Sequence, residues 1–152
     1  MKRSFFVAFS LACGIAMASM LTGCSSKPSP ENVQAGLKRW LLQTFNFSGA
    51  YNHIPISKID ISVEKCFPQS NDIMDQMKMS DADRENYGKR FQHWQFCHVE
   101  ISDGTQQYKV LLTVYQAENE QTKDMDYYAM PVVGLVENTD QENKDARILF
   151  SN

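Results

Sequence analysis

His93 to Gln116 reads HWQFCHVEISDGTQQYKVLLTVYQ, two runs rich in β-branched and aromatic residues on either side of Asp103-Gly104. An Asp-Gly pair between such runs is a strong hairpin signal, because a type I′ turn needs positive φ at both central residues. With Asp103-Gly104 at the centre, Ser102 pairs with Thr105, and residues directly opposed share a face. Ile101 then meets Gln106, Val99 meets Tyr108, Cys97 meets Val110 and Gln95 meets Leu112, which makes one face largely apolar. On the other face Glu100 meets Gln107, His98 meets Lys109, Phe96 meets Leu111 and Trp94 meets Thr113. Polarity there falls with distance from the turn, so the hairpin is expected to be apolar on both sides at its open end.

Upstream, Ile59, Ile61 and Val63 alternate with Asp60, Ser62 and Glu64, the period of a half-buried strand. The segment 67–93 between them is polar, carries Pro68 and reads as one or two short helices connecting strands. Ser80 with Asp83 approximates a capping box, which predicts a helix from Asp81 to Gln92. Downstream, Tyr127 to Val136 is expected as a further strand, placed at an edge or a bulge by Pro131, and Arg147 to Phe150 as a short last strand. Ahead of the strands, Ser29, Pro30 and Glu31 carry helix-start signals. Val33, Leu37, Trp40, Leu41 and Phe45 follow at helical spacing, until Gly49 and Tyr51-Asn52-His53 break the pattern. The fold class expected is α+β, an N-terminal helix packed on a four- to five-stranded antiparallel sheet. That order of elements is similar to cystatin-like and NTF2-like rolls, an analogy of architecture alone.

The chain starts as an exported protein does. Basic Lys2 and Arg3 precede an apolar stretch from Phe5 to Met20 that ends in small residues. It is too short and too rich in small residues for a span of about 20 residues, and no stop-transfer charges follow. Ala16-Met17-Ala18 offers the small-x-small pattern of ordinary signal peptidase. Leu21-Thr22-Gly23-Cys24 resembles the lipobox of bacterial lipoproteins at all four positions, and Ser10-Leu11-Ala12-Cys13 is a weaker copy placed too early. The resemblance covers the first 24 residues. It implies that residues 1–23 are removed and that Cys24 becomes the first residue, bearing a thioether-linked diacylglycerol and an N-acyl chain. In the same pattern Ser25, where an Asp would favour the inner membrane, implies an outer-membrane lipoprotein facing the periplasm. Several acyl chains, each buried methylene adding about 0.8 kcal/mol, make a permanent membrane anchor.

Residues 24–30 are then a Ser/Pro tether reaching roughly 20 Å when extended, and residues 31–152 are one domain of ordinary size. Removing Lys2 and Arg3 from the 15 basic residues leaves 13 against 18 acidic ones, a formal net charge of −5. Such a domain has no electrostatic footprint for nucleic acid, and its contact with the membrane falls to the lipid.

Of the four cysteines, Cys13 leaves with the signal and Cys24 is acylated, so Cys66 and Cys97 remain to form a disulfide in an oxidising periplasm. Reading Cys97, His98 and His93 as metal ligands is disfavoured, because neighbours on a strand point to opposite faces. Met74, Met77 and Met79 have the thioether spacing that suits Cu(I), although methionines under a short helix more commonly fill gaps. No G-x-S-x-G, H-E-x-x-H or nucleotide-loop pattern is present. Glu64, Asp81, Asp83, Glu85 and Glu100 read as solvated carboxylates, and His53, His93 and His98 as surface or packing residues.

These features favour a non-catalytic interaction or accessory module with an envelope protein partner and no cofactor. A small-ligand or copper carrier is the alternative, ahead of an envelope-polymer hydrolase. The face of the hairpin carrying Trp94, Phe96, Leu111 and Tyr115 is the candidate partner surface, set against its reading as a second core layer. Cys24→Ala is expected to abolish palmitate labelling and membrane fractionation; labelling that persists in the variant would refute the lipobox reading.

Overall fold

The computed structural model describes residues 27–45 and 59–150, with side chains described as far as residue 43 in the first segment. Helix α1 (Pro30–Phe45) precedes strand β1 (Asp60–Pro68). Two short helices, α2 (Asn71–Gln76) and α3 (Asp81–Arg90), lead to β2 (Gln92–Ser102) and β3 (Gln107–Glu118), and then β4 (Met125–Val132) and α4 (Asp140–Phe150). The strands form one four-stranded antiparallel sheet in the order β1-β2-β3-β4, so the class is α+β. The Phe45 side chain, Gly49, the Tyr51-Asn52-His53 stretch and residues 1–26 with Cys13, Cys24 and Ser25 lie outside the described residues.

The hairpin forms in a register two residues away from the expected one. Ser102 opposes Gln107 rather than Thr105, Val99 opposes Val110 and Cys97 opposes Leu112. The Asp103 carboxylate accepts the N–H groups of Thr105 (2.8 Å) and Gln106 (2.7 Å), so Asp103 opens the turn instead of occupying its centre. Gly104, at φ +88°, takes the first central position, and a bond from Asp103 N–H to Gln106 O closes the loop at 3.2 Å. Among the described residues Thr105 has no positive φ, and glycine followed by an ordinary residue is the type II′ pattern. An even shift leaves every side chain on the face its parity assigned.

One face carries the larger core. Val33, Leu37 and Leu41 of α1 pack with Val63, Cys97, Val99, Ile101, Val110, Leu112, Val114 and Ala129 of the sheet. Ser29 caps α1 by accepting the Asn32 N–H at 3.2 Å. On the same side of the helix, Gly36 lies directly on β4: a Cβ there would sit 2.8 Å from Ala129 N and from the Tyr128 carbonyl carbon. Trp40 meets Phe150 of α4 edge to face at 5.8 Å.

Cys66 opposes Cys97 across β1 and β2, and the two are joined by a disulfide. Their Cα atoms are 4.1 Å apart, close to the spacing of directly opposed, non-hydrogen-bonded partners. Closing a loop of this size stabilises the fold by about 3 to 4 kcal/mol in the chain-entropy account.

The second face is covered by a smaller cluster in which Ile73 of α2, Val132 and Leu135 close over Phe96 and Leu111, with Phe67 and Met77 at its margin. Ser70 caps α2 through the Ile73 N–H, and Gln76 ties the helix to the segment after β4 by accepting the Val136 N–H (2.8 Å) and donating to Glu137 (3.2 Å). Ser80 caps α3 as its box predicts, accepting the Asp83 N–H at 3.2 Å. The helix stops at Arg90, two residues short of the expected Gln92.

The largest departure is at the C-terminal end. Residues 147–150 are not a strand; they complete α4, and β4 ends at Val132 rather than Val136. Thr139 and Glu142 form a reciprocal capping box, with Glu142 N–H donating to Thr139 Oγ1 (3.1 Å) and Thr139 N–H donating to Glu142 Oε2 (2.7 Å). β4 pairs with β3 only from Leu111 onward, and beyond that point Asp145 of α4 accepts the Lys109 N–H at 2.9 Å. α4 thereby satisfies part of the β3 edge that β4 leaves unpaired.

Gly36→Ala tests the helix-on-strand contact. Helix propensity favours alanine by about 1 kcal/mol, but the methyl meets backbone that cannot rotate away, and overpacking costs about 1 to 3 kcal/mol. A lowered Tm is expected, and an unchanged or raised Tm would show that α1 does not press on β4.

Candidate functional site

The four residues of the expected partner face divide into two pairs. Phe96 and Leu111 are both 0% exposed, sealed beneath α2 and Leu135, so no partner touches them in this fold. Trp94 and Tyr115 are half-buried and belong to an aromatic row running along the same face. Tyr87 of α3, Phe91, Tyr115 of β3 and Tyr128 of β4 follow one another with ring centroids 5.0, 3.8 and 5.5 Å apart and planes within 16° of parallel. Trp94 stands edge-on to Phe91 at 5.3 Å and to Tyr87 at 6.4 Å, and its indole N–H donates to Thr113 at 2.8 Å. Such contacts contribute roughly 0.5 to 1.5 kcal/mol each beyond burial.

Local backbone explains how Trp94 arrives there. The β2–β3 register is interrupted between Gln92 and Gln95, and His93 adopts φ +51°. That irregularity lets Phe91 and Trp94 both approach the row, which strict alternation would forbid.

Arg39 closes the row. Its guanidinium lies 5.4 Å from the Tyr128 ring centroid, pairs with Asp126 at 3.1 Å and donates to the Tyr127 backbone carbonyl. β4 is the outer strand of the sheet, so Arg39 reaches around from α1 and blunts an otherwise open edge.

Beside the row is an open cleft of about 640 Å³, lined by Arg39, Leu42 and Gln43 of α1, Arg90 and Phe91, Tyr115 and Tyr128, and the end of β3 with the turn after it, from Ala117 to Gln121. Asn119 organises that turn: its side-chain oxygen accepts the N–H groups of Gln121 (2.9 Å) and Thr122 (3.3 Å), and its amide donates to Asp126 at 2.7 Å. Arg90 and Glu120 pair at 3.8 Å, and both are well exposed. Burial raises the Tyr115 phenol above its ordinary pKa, neighbouring Tyr128 and Tyr87 raise it further, and Arg90 opposes them. Its hydroxyl stays protonated through neutral pH. With the ring faces covering one another, the cleft offers hydroxyl, amide, guanidinium and carboxylate groups over an aromatic floor, a lining for polar recognition.

The other expected site residues fall elsewhere. Cys97 is in the disulfide, His98 Nδ1 lies 2.5 Å from Glu142 Oε1, and His93 is exposed, so these three do not form a ligand set. Met74 is buried, Met77 packs against the second cluster and Met79 is half-buried. Among the described residues, no group of three His, Cys, Asp or Glu side chains is placed to hold a metal ion. Glu64 pairs with Lys109 and Glu85 with Lys89, Asp83 bonds its own cap Ser80, and Asp81 is exposed.

Glu142 and Asp145, buried at 3% and 4% exposure, were not singled out from the sequence. Thr139-x-x-Glu142 is a legible capping-box signal, but the partner His98 lies 44 residues away. Among the described residues no helix is long and apolar enough to cross a membrane. Compared with family models, curated proteins and solved structures, the chain matches none.

A phenol whose folded pKa is raised contributes stability that is complete below the unfolded value near 10 and is lost as pH climbs through the folded value. Tyr115→Phe should therefore flatten the fall in Tm as pH rises above about 10 relative to the parent protein; identical alkaline slopes would contradict the burial of this hydroxyl.

Proposed function

We propose that this chain is a non-catalytic lipoprotein, held at the outer membrane through acylated Cys24, whose domain binds an envelope protein partner through the polar cleft beside the aromatic row. The observation that carries the reading is the complete lipobox, Leu21-Thr22-Gly23-Cys24, at the end of an export signal. A permanent anchor places a small domain where binding alone is useful, and the disulfide between Cys66 and Cys97 suits an oxidising compartment. The rim of the cleft is polar and exposed, as the margin of a reversible interface is. A helix followed by an antiparallel meander also supports a cystatin-like or NTF2-like roll at the level of architecture.

A small-ligand carrier is the second reading, favoured by the cleft's volume of about 640 Å³, which lies within the size range of small-molecule sites. Its copper-binding form loses support because Met74 is buried.

The two readings separate in one experiment. Lipidated protein is cross-linked in membranes and recovered, as the parent and as a rim variant carrying Gln43→Ala, Glu120→Lys and Gln121→Ala. A specific chain captured by the parent and at least about tenfold less by the variant, equivalent to about 1.4 kcal/mol, is expected at unchanged Tm. Equal capture by both would remove the cleft as the contact, and no captured chain would favour the small-ligand reading.

A further inference from the structure

The tether is shorter in space than residues 24–30 imply, because part of it belongs to the domain. Lys27 Nζ donates to the Glu64 backbone carbonyl at 3.4 Å, Pro28 is buried and Ser29 caps α1. Gln34 then donates to the Ile59 carbonyl at the entry to β1, at 3.2 Å. The start of α1 is thus joined to β1, and only Ser25 and Ser26 stand between Lys27 and the acylated residue. The three Cα–Cα steps from Cys24 to Lys27 reach at most about 10 Å.

The far end of the same helix lies at the opposite edge of the sheet. Gly36 rests on Tyr128 and Ala129 of β4, Arg39 holds Tyr127 and Asp126, and Gln43 lines the cleft. β1 and β4 are the two outer strands, separated by three strand spacings, or about 14 Å. From Pro30 to Gln43, α1 advances about 20 Å at 1.5 Å per residue. The anchor point and the cleft therefore occupy opposite ends of one rigid element.

We infer that the acylated protein stands with β1 and the start of α1 against the lipid headgroups, and presents the cleft at β4 away from the bilayer. This rests on the reading of Cys24 as the lipid-bearing residue. The partner it selects is a protein domain on the periplasmic side that approaches from outside the membrane plane. In that orientation the cleft opens about 20 Å along α1 from the anchor point, farther than the headgroup layer extends.

Depth-resolved quenching tests the orientation. The acylated full-length protein is reconstituted in phosphatidylethanolamine/phosphatidylglycerol vesicles, labelled through either Lys65→Cys beside the Lys27 contact or Gln121→Cys on the cleft rim. Quenching by headgroup-labelled lipid should be at least about threefold stronger at position 65, since the separation of the two positions exceeds the thickness of the headgroup layer. Inserting ten Gly/Ser residues between Ser26 and Lys27 should erase most of that difference. Equal or reversed quenching at the native tether length overturns the orientation while leaving the anchor intact. Intact mass showing no acyl groups on Cys24 overturns the anchor itself, and the orientation with it.

Discussion

The pair of strands β2 and β3 is apolar on both faces, and the rest of the molecule is arranged to cover it. Cys97, Val99, Ile101, Val110, Leu112 and Val114 point one way, and Phe96 and Leu111 the other. Leaving either set in water would cost roughly 25 cal/mol for each square ångström of apolar surface, more than a small domain can lose and remain folded. One helix is about 10 Å wide and cannot screen both sides. Hence α1, with the inner side of α4, lies over the first face, while α2 and the segment following β4 lie over the second. The excursion from Phe67 to Phe91, polar as its sequence is, supplies Ile73 and Met77 as a lid for the smaller side.

Much of this arrangement is legible because it is local. Alternation around Asp103-Gly104 identifies the hairpin and the face of every residue along it, and Ser29 and Ser80 mark their helices. The register was not legible, since glycine satisfies a positive φ as well in the first central position as in the second. What decides between them is the Asp103 carboxylate closing on Thr105 and Gln106. The helical state of Arg147 to Phe150 was hidden by a short apolar run that suits either class of element, although Thr139 and Glu142 advertise a helix start. The site was the least legible part. Phe91 and Trp94 face the row only because the strand is irregular at His93, and Arg39 comes from another element 87 residues before Asp126.

α4 shows how a polar helix can be held in an apolar setting. Both buried carboxylates are fully occupied: Glu142 serves the helix cap with one oxygen and His98 with the other, while Asp145 takes the Lys109 N–H and the Gln141 amide. An unpartnered carboxylate at such depth would be prohibitive. These bonds therefore set the rotation and height of α4 more sharply than Ala146 and Leu149, whose apolar contacts tolerate small shifts. The end of the sheet is specified by hydrogen-bond geometry, and its middle by packing.

The Cys66–Cys97 bond has a topological meaning apart from its contribution to stability. Its two ends lie 31 residues apart, and α2, α3 and the irregular start of β2 all fall between them. That stretch is a closed covalent ring inserted into the chain, entered and left at one point. A protease that cut within the exposed α3 would open the ring without dividing the molecule, and the two fragments would travel as one until a reductant released them.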